Sequence, residues 1–305
     1  MIEHLSIPRG TLTLAADLHL PSNFDQTQPH PLIVLSTPGS SVKEQIGANY
    51  AAGLARSGIA AITFDPAYQG QSSGEPRDLE DPYRRGEDIS YVIDEVTKLD
   101  MIDAERIGTL GICAGGGYAV HTARTDHRIK AVGTVVASNI GAAWRAGSAP
   151  NGPAAALDEL AASRSAHVAA GTVERVNWLP DTPENAVALG ITDIDSTRAI
   201  AFYRTPRGSH EHSTNRRLSR SDSLLMGYDA FHLVDPLLTQ PLQVIIAGRK
   251  GNTGQYEAGI ALWEMAPNPV DLLIVEGAGH YEMYDEAKYV HQAVDRLATF
   301  YNQHL

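Results

Sequence analysis

Short, nearly continuous apolar runs recur along the first half of the chain, at Leu32 to Leu35, Ala60 to Phe64, Ile107 to Leu110 and Ala131 to Val136. Helix-length stretches of mixed polarity separate them. Runs without alternation are what strands covered on both faces look like, so the pattern predicts a mostly parallel sheet between two layers of helix. Helices are predicted over residues 43–57 and 82–99; in the second, Ile89, Val92, Ile93 and Val96 fall at helical spacing. Residues 2–20 alternate in places, as in Gly10 to Leu14, and run into a turn-rich segment, 21–31, which predicts an opening antiparallel pair. The strand and helix alternation resumes at Leu242 to Ala247 and Asp271 to Val275. It ends in an amphipathic helix near 286–301 that carries Val290, Val294 and Leu297 on one side.

Between Ser138 and Pro241 the alternation is interrupted by a stretch rich in Ala, Arg, Ser and charged residues. Its best helices are Ala154 to Ala170 and Thr197 to Tyr203, whereas Thr205 to Ser223 is polar and reads as loop. The predicted organisation is one α/β core of about eight strands, formed by residues 1–138 and 240–305, with a helical cap over residues 139–239 inserted after the sixth strand. A chain of 305 residues has ample length to bury such a core.

Charge narrows the function. Lys and Arg total 24 against 36 Asp and Glu, a formal net charge of −12, which argues against nucleic acid or an anionic membrane as partner. One cysteine forbids an internal disulfide, and residues 1–10 lack the basic and apolar regions of a signal peptide, so a cytoplasmic location is expected. No apolar run reaches the length of a membrane span. The exception to the acidic balance is Arg204, Arg207, Arg216, Arg217 and Arg220, with His210 and His212, in the insertion. That cluster reads first as a solvated loop face, and otherwise as a place for a carboxylate, a coenzyme A phosphate or an acidic carrier protein. His210-Glu211-His212 is too short and isolated for a metal site.

The lone cysteine sits where chemistry is expected. The strand Ile107 to Leu110 runs at once into Gly111-Ile112-Cys113-Ala114-Gly115-Gly116-Gly117 and then a helix-like segment from Tyr118. Glycines opening a helix cost about 1 kcal/mol each relative to alanine, so their presence implies that backbone passes close to something. A buried core thiol, the bland reading of a lone cysteine, does not explain that spacing. A sharp strand-turn-helix elbow does, because small residues on either side let the central side chain rise above the carboxyl ends of the strands.

Here the sequence resembles the α/β-hydrolase superfamily, with cysteine in place of the usual nucleophilic serine. It is most similar to the dienelactone-hydrolase-like branch and to related polyketide acyltransferases, through Phe64 to Ser72, Gly111 to Tyr118 and the insertion segment Phe202 to Gly208. The resemblance implies an α/β-hydrolase fold, Cys113 as nucleophile, and a base on the loop after the last strand, which is His280 behind Glu276-Gly277-Ala278-Gly279. The oxyanion hole is then expected from the N–H of Ala114 and a second N–H from Thr37-Pro38-Gly39-Ser40-Ser41, with Ser40 as the donor and Gly39 as its alternative, since proline has none to give.

The orienting acid departs from the family pattern. After Leu242 to Ala247 the chain reads Gly248-Arg249-Lys250-Gly251-Asn252-Thr253, without a carboxylate. Asn252 stands at or next to the expected place, giving a Cys-His-Asn arrangement, with Asp65, Glu257, Glu276 and Asp285 as carboxylates elsewhere. Asp65 reads as the residue that ties its own turn. Tyr68, Gln69, Trp144, Tyr203 and Tyr228, with Phe231, are the candidate pocket residues, against the commonplace reading of cap aromatics as packing.

The expected function is hydrolysis of an ester, thioester or lactone through a Cys113 acyl-enzyme, without metal or cofactor, on a small acyl substrate carried free, on coenzyme A or on a carrier protein. Transfer of a polyketide or other acyl group to an alcohol or amine is the first alternative. A non-catalytic ligand-binding homologue is the second, supported by the vacant acid position. A cysteine beside such a histidine points to a thiolate–imidazolium pair.

Overall fold

The computed structural model describes residues 1–148 and 150–305. An antiparallel pair, β1 (Ile2–Arg9) and β2 (Leu12–His19), opens the chain. Then follow β3 (His30–Ser36), α1 (Ile46–Arg56), β4 (Ala60–Phe64), α2 (Pro82–Val96), β5 (Ile102–Ile112), α3 (Ala114–Ala123) and β6 (Ile129–Val135). The interrupting segment holds α4 (Ile140–Gly147), α5 (Gly152–Ala169), β7 (Arg175–Asn177), α6 (Pro183–Ala188), α7 (Ile194–Tyr203), β8 (Arg216–Leu218), α8 (Arg220–Met226) and α9 (Val234–Leu237). The core closes with β9 (Leu242–Ala247), α10 (Gln255–Met265), β10 (Pro269–Val275), α11 (Glu282–Asp285) and α12 (Ala287–His304).

The main sheet has eight strands in the order β1-β2-β4-β3-β5-β6-β9-β10. The first two pairings are antiparallel and the rest parallel, as the apolar runs predict. Successive side chains of β3 serve opposite layers: Leu32 and Val34 join one core with α2 and α3, while Ile33 and Leu35 join the other with α1 and α12. All four are fully buried, so the strand cannot slip by one residue without exchanging its two cores. Asp81 caps α2 by accepting from the N–H groups of Tyr83 and Arg84, with Pro82 at the first helical position.

The segment 205–223, expected as loop, instead contains β8 and the start of α8. β8 pairs antiparallel with β7 in a separate two-stranded ribbon. Three-residue strands are too short to show a period, and only their pairing defines them.

The junction of β5 with α3 carries the glycines. A Cβ on Gly111 would lie 2.4 Å from the carbonyl oxygen of Gly115, and one on Gly115 would lie 2.0 Å from that of Ser36 at the end of β3. Those obstacles are backbone, which cannot swing aside. Gly115→Ala is therefore expected to destabilise the fold by at least about 2 kcal/mol, whereas Gly147→Ala, at the end of α4 with open space around its Cβ position, should stay within about 1 kcal/mol. Urea unfolding of the two variants checks the contrast.

Candidate active site

Cys113 is the single residue between β5 and α3, with φ +57° and ψ −125°. Such a conformation costs a non-glycine residue about 1–3 kcal/mol and persists only when its surroundings impose it. They do so through hydrogen bonds: Cys113 N–H donates to Val135 O at 3.1 Å, and Cys113 O accepts from Gly116 N–H and Ser138 N–H, each at 2.9 Å. The thiol is thereby lifted off the sheet at the N-terminus of α3, next to the N–H of Ala114, which acts to stabilise its anion.

The loop between β3 and α1 forms the facing wall. Arg85 of α2, buried, donates through Nη2 to Thr37 O and to Pro38 O, the latter at 3.2 Å, and so holds the loop that carries Gly39 and Ser40. Its countercharge is buried Glu80, with Arg85 Nε 3.6 Å from Glu80 Oε1. Tyr118 OH and Gln69 Nε2 donate to the same carboxylate at 2.6 and 2.5 Å. Ser40 has φ +68°, and its carbonyl accepts from Ser213 Oγ of the insertion at 2.8 Å. Gly39 lies beneath the indole of Trp178, 3.0 Å from where its Cβ would be.

His280 follows β10 and is 1% exposed. Its Nε2 lies 3.2 Å from the hydroxyl of Tyr284, a phenol that also adjoins the Cys113 thiol. Its Nδ1 is buried and finds no partner among the described residues. Asn252 is not at that nitrogen. It is exposed, and its N–H donates to Asp195 Oδ2 at 2.7 Å, with Thr253 N–H on the same oxygen at 3.0 Å. The N-terminal turn of α7 has captured the loop after β9, which corrects the expectation of a Cys-His-Asn arrangement.

The carboxylate that acts on His280 is Glu282, held by Arg249 of that same loop at 2.6 Å and by Arg198 at 3.4 Å. Glu282 Oε2 is itself buried without a partner among the described residues. Asp65 accepts from the N–H groups of Lys43 and Gln71, each at 2.8 Å, and ties its own loop. Glu257 pairs with Lys250 at 3.2 Å, and Asp285 with Arg207 at 2.5 Å.

Of Tyr68, Gln69, Trp144, Tyr203 and Tyr228, Tyr203 faces the site: its ring centroid is 6.1 Å from that of Tyr284, and its hydroxyl is in the field of Cys113. The other four do not. Gln69 is engaged by Glu80, and Tyr68 packs against Gly74 and beneath Arg84. Trp144 donates to Asp222 and stacks inside the insertion, sharing the Arg217 guanidinium with Trp178. Tyr228 is buried against Tyr83, Tyr118 and His121. Their phenol and indole groups found structural partners, as aromatics between helices commonly do.

The residues missed are Trp178, Arg85, Glu282, Tyr281 and Tyr284. The signal for Tyr284 was present, since it stands four residues after His280, the spacing that places two side chains on one side of a helical turn. The arginines of the insertion are mostly paired, Arg207 with Asp285 and Arg217 with Asp222, and His210 and His212 belong to no metal-binding cluster among the described residues.

Electrostatics keep both central groups neutral. Burial raises the Cys113 thiol, against the pull of Tyr284, the Ala114 N–H and Arg85. Burial pushes His280 down to about 3, with Glu282 opposing. Both shifts favour the uncharged forms and oppose the thiolate–imidazolium pair expected from sequence.

Residues 37–293 match the α/β hydrolase family. The chain belongs to that family. It is 37% identical over 302 residues to YcjY, an uncharacterized protein of Escherichia coli K12, covering 97% of this chain and 95% of that one. It is 24% identical over 256 residues to the thiohydrolase aneE of Aspergillus aculeatus, covering 82% and 79%. The crystal structure of the hypothetical protein PA2218 from Pseudomonas aeruginosa superposes with a TM-score of 0.88 at 28% identity, covering 100% of this chain and 94% of the other.

The lowered pKa of His280 has a consequence for stability. An unfolded histidine takes up a proton near pH 6.5 while folded His280 does not until about 3, so the unfolded state binds the extra proton throughout that window and stability falls as pH drops. Each such group contributes a slope of about 1.4 kcal/mol per pH unit. His121, lowered to about 4 by burial and Arg124, acts in the same direction. His280→Gln should flatten the dependence between pH 6 and 4 by close to one linked proton, measured by denaturant unfolding at several pH values.

Proposed function

We propose that this chain is a cysteine-dependent acyl hydrolase acting on esters, thioesters or lactones. The observation that carries the reading is the strained backbone of Cys113, which presents a thiol at the start of α3, near the Tyr284 phenol on which the buried imidazole of His280 rests. A structural cysteine has no use for that conformation. The name thiohydrolase on one relative supports the same class of chemistry.

In the first half-reaction Cys113 Sγ attacks the acyl carbonyl carbon, and the carbonyl π pair moves onto oxygen. The N–H groups of Ala114 and of Ser40 or Gly39 receive that oxyanion. The thiol proton passes to Nε2 of neutral His280, the protonation state that can accept it. Collapse expels the alcohol or thiol, which takes the proton. Water then attacks the thioester with the same base, releasing the acid and restoring the thiol. Glu282, not Asn252, stabilises the imidazolium formed in each half, anchored from behind by Arg249.

The residues of the insertion that cover this centre, Trp178, Tyr203 and Ser213, act as its cap and shape the acyl side of the site. The indole of Trp178 and the ring of Tyr203 offer apolar faces there, which suits an acyl chain.

Incubation with p-nitrophenyl butyrate and with a butyryl thioester, followed by intact-mass and peptide analysis, should show one acyl group on the Cys113 peptide. His280→Ala should slow turnover by about 10²-fold or more. Cys113→Ala should abolish the adduct; turnover that survives it would overturn the assignment. Added alcohols that capture the acyl group faster than water would make the enzyme a transferase by the same mechanism.

A further inference from the structure

In a direct nucleophile and base pair, Nε2 of the histidine holds the nucleophile's proton. Here the partner of His280 Nε2 is the hydroxyl of Tyr284, at 3.2 Å, and that phenol adjoins Cys113. Tyr284 is fully buried and fixed by its neighbours. Phe202 meets it edge-on at 5.1 Å between centroids, Tyr281 lies at 5.0 Å and Tyr203 at 6.1 Å. Its carbonyl is tied to Asn49 Nδ2 at 3.0 Å. A phenol used only for packing does not need its oxygen on an imidazole next to a thiol; Tyr228, in the same protein, turns its hydroxyl to a main-chain carbonyl instead.

We propose that Tyr284 is a catalytic residue of this site, its hydroxyl carrying the proton from the Cys113 thiol to Nε2 of His280. As Sγ forms its bond to the electrophilic carbon, the S–H proton moves to the tyrosine oxygen and the tyrosine O–H proton moves to Nε2. The phenol ends the step neutral, holding a different proton, and the positive charge resides on the imidazolium. Transfer is concerted because burial holds the Tyr284 phenol well above its ordinary pKa, so that a free tyrosinate is not an intermediate. The placement of Tyr284 in acyl transfer rests on the function proposed above; its effect on the thiol does not.

The test therefore reads the thiol directly. Alkylation of Cys113 by iodoacetamide is followed by peptide mass spectrometry at neutral pH in the wild type, Tyr284→Phe and His280→Ala, alongside ester turnover. Loss of the relay should lower the alkylation rate of Tyr284→Phe by about tenfold or more, to the level of His280→Ala. In mixtures of H2O and D2O the wild-type rate should bow against deuterium fraction, as two protons in flight require. This second measurement stands even if the phenylalanine variant fails to fold. Alkylation of Tyr284→Phe at or above the wild-type rate, or a linear isotope dependence in the wild type, would refute the relay. Absent ester turnover with a normal relay signature would instead refute only the acyl-hydrolase reading.

Discussion

Two backbone contacts without side chains, Gly111 on Gly115 and Gly115 on Ser36, set the position of everything at the active site. They let α3 begin in touch with the ends of both β3 and β5, the two most central parallel neighbours of the sheet. Cys113 is the residue left at the corner, and its strained dihedral angles follow from having no other way to join that strand to that helix. The same approach brings the loop bearing Gly39 and Ser40 beside the first N–H of α3, which Arg85 then secures from beneath. An oxyanion site built on main chain needs this closeness, because its donors cannot be moved by changing a rotamer.

Around that frame the protein has placed low dielectric, not charge. Three phenols, one imidazole and one thiol share the space, and the nearest full charges, on Arg85, Glu282 and Asp195, lie behind them. A desolvated thiol is sluggish and a desolvated imidazole is a weak base, so the site rests in its least reactive form. In the proposed acyl chemistry, charge separation becomes favourable when a carbonyl is present to take the negative end against main-chain N–H groups.

Much of this was legible from the residues in order. The apolar runs located β3, β4, β5, β6 and β9, the glycine spacing located the elbow, and the last loop yielded His280. What escaped did so for physical reasons. β7 and β8 are three residues each and defined by partners that lie far apart in sequence. Asn252 stands where family spacing would place an orienting group, yet Asp195 draws the loop's N–H groups the other way, a contact between residues 57 positions apart. Arg85 and Glu80 lie in a segment that reads only as a helix start, and their role depends on which loop packs above them. Aromatic residues are ambiguous one by one: Tyr203 and Tyr228 look alike in the chain, and only tertiary packing turns one toward the thiol and the other away.

The grip of Asp195 on the loop after β9 bears on how such proteins can be recombined. With Gly251 leaving no room for a side chain against that carboxylate, the start of α7 is a wall of the core as much as a part of the insertion. The segment between β6 and β9 is thus not an interchangeable module to be traded among hydrolases for new specificity. A graft that brings its own insertion must bring a loop after β9 that fits it, or else restore a carboxylate there and return the histidine to the more common form of support.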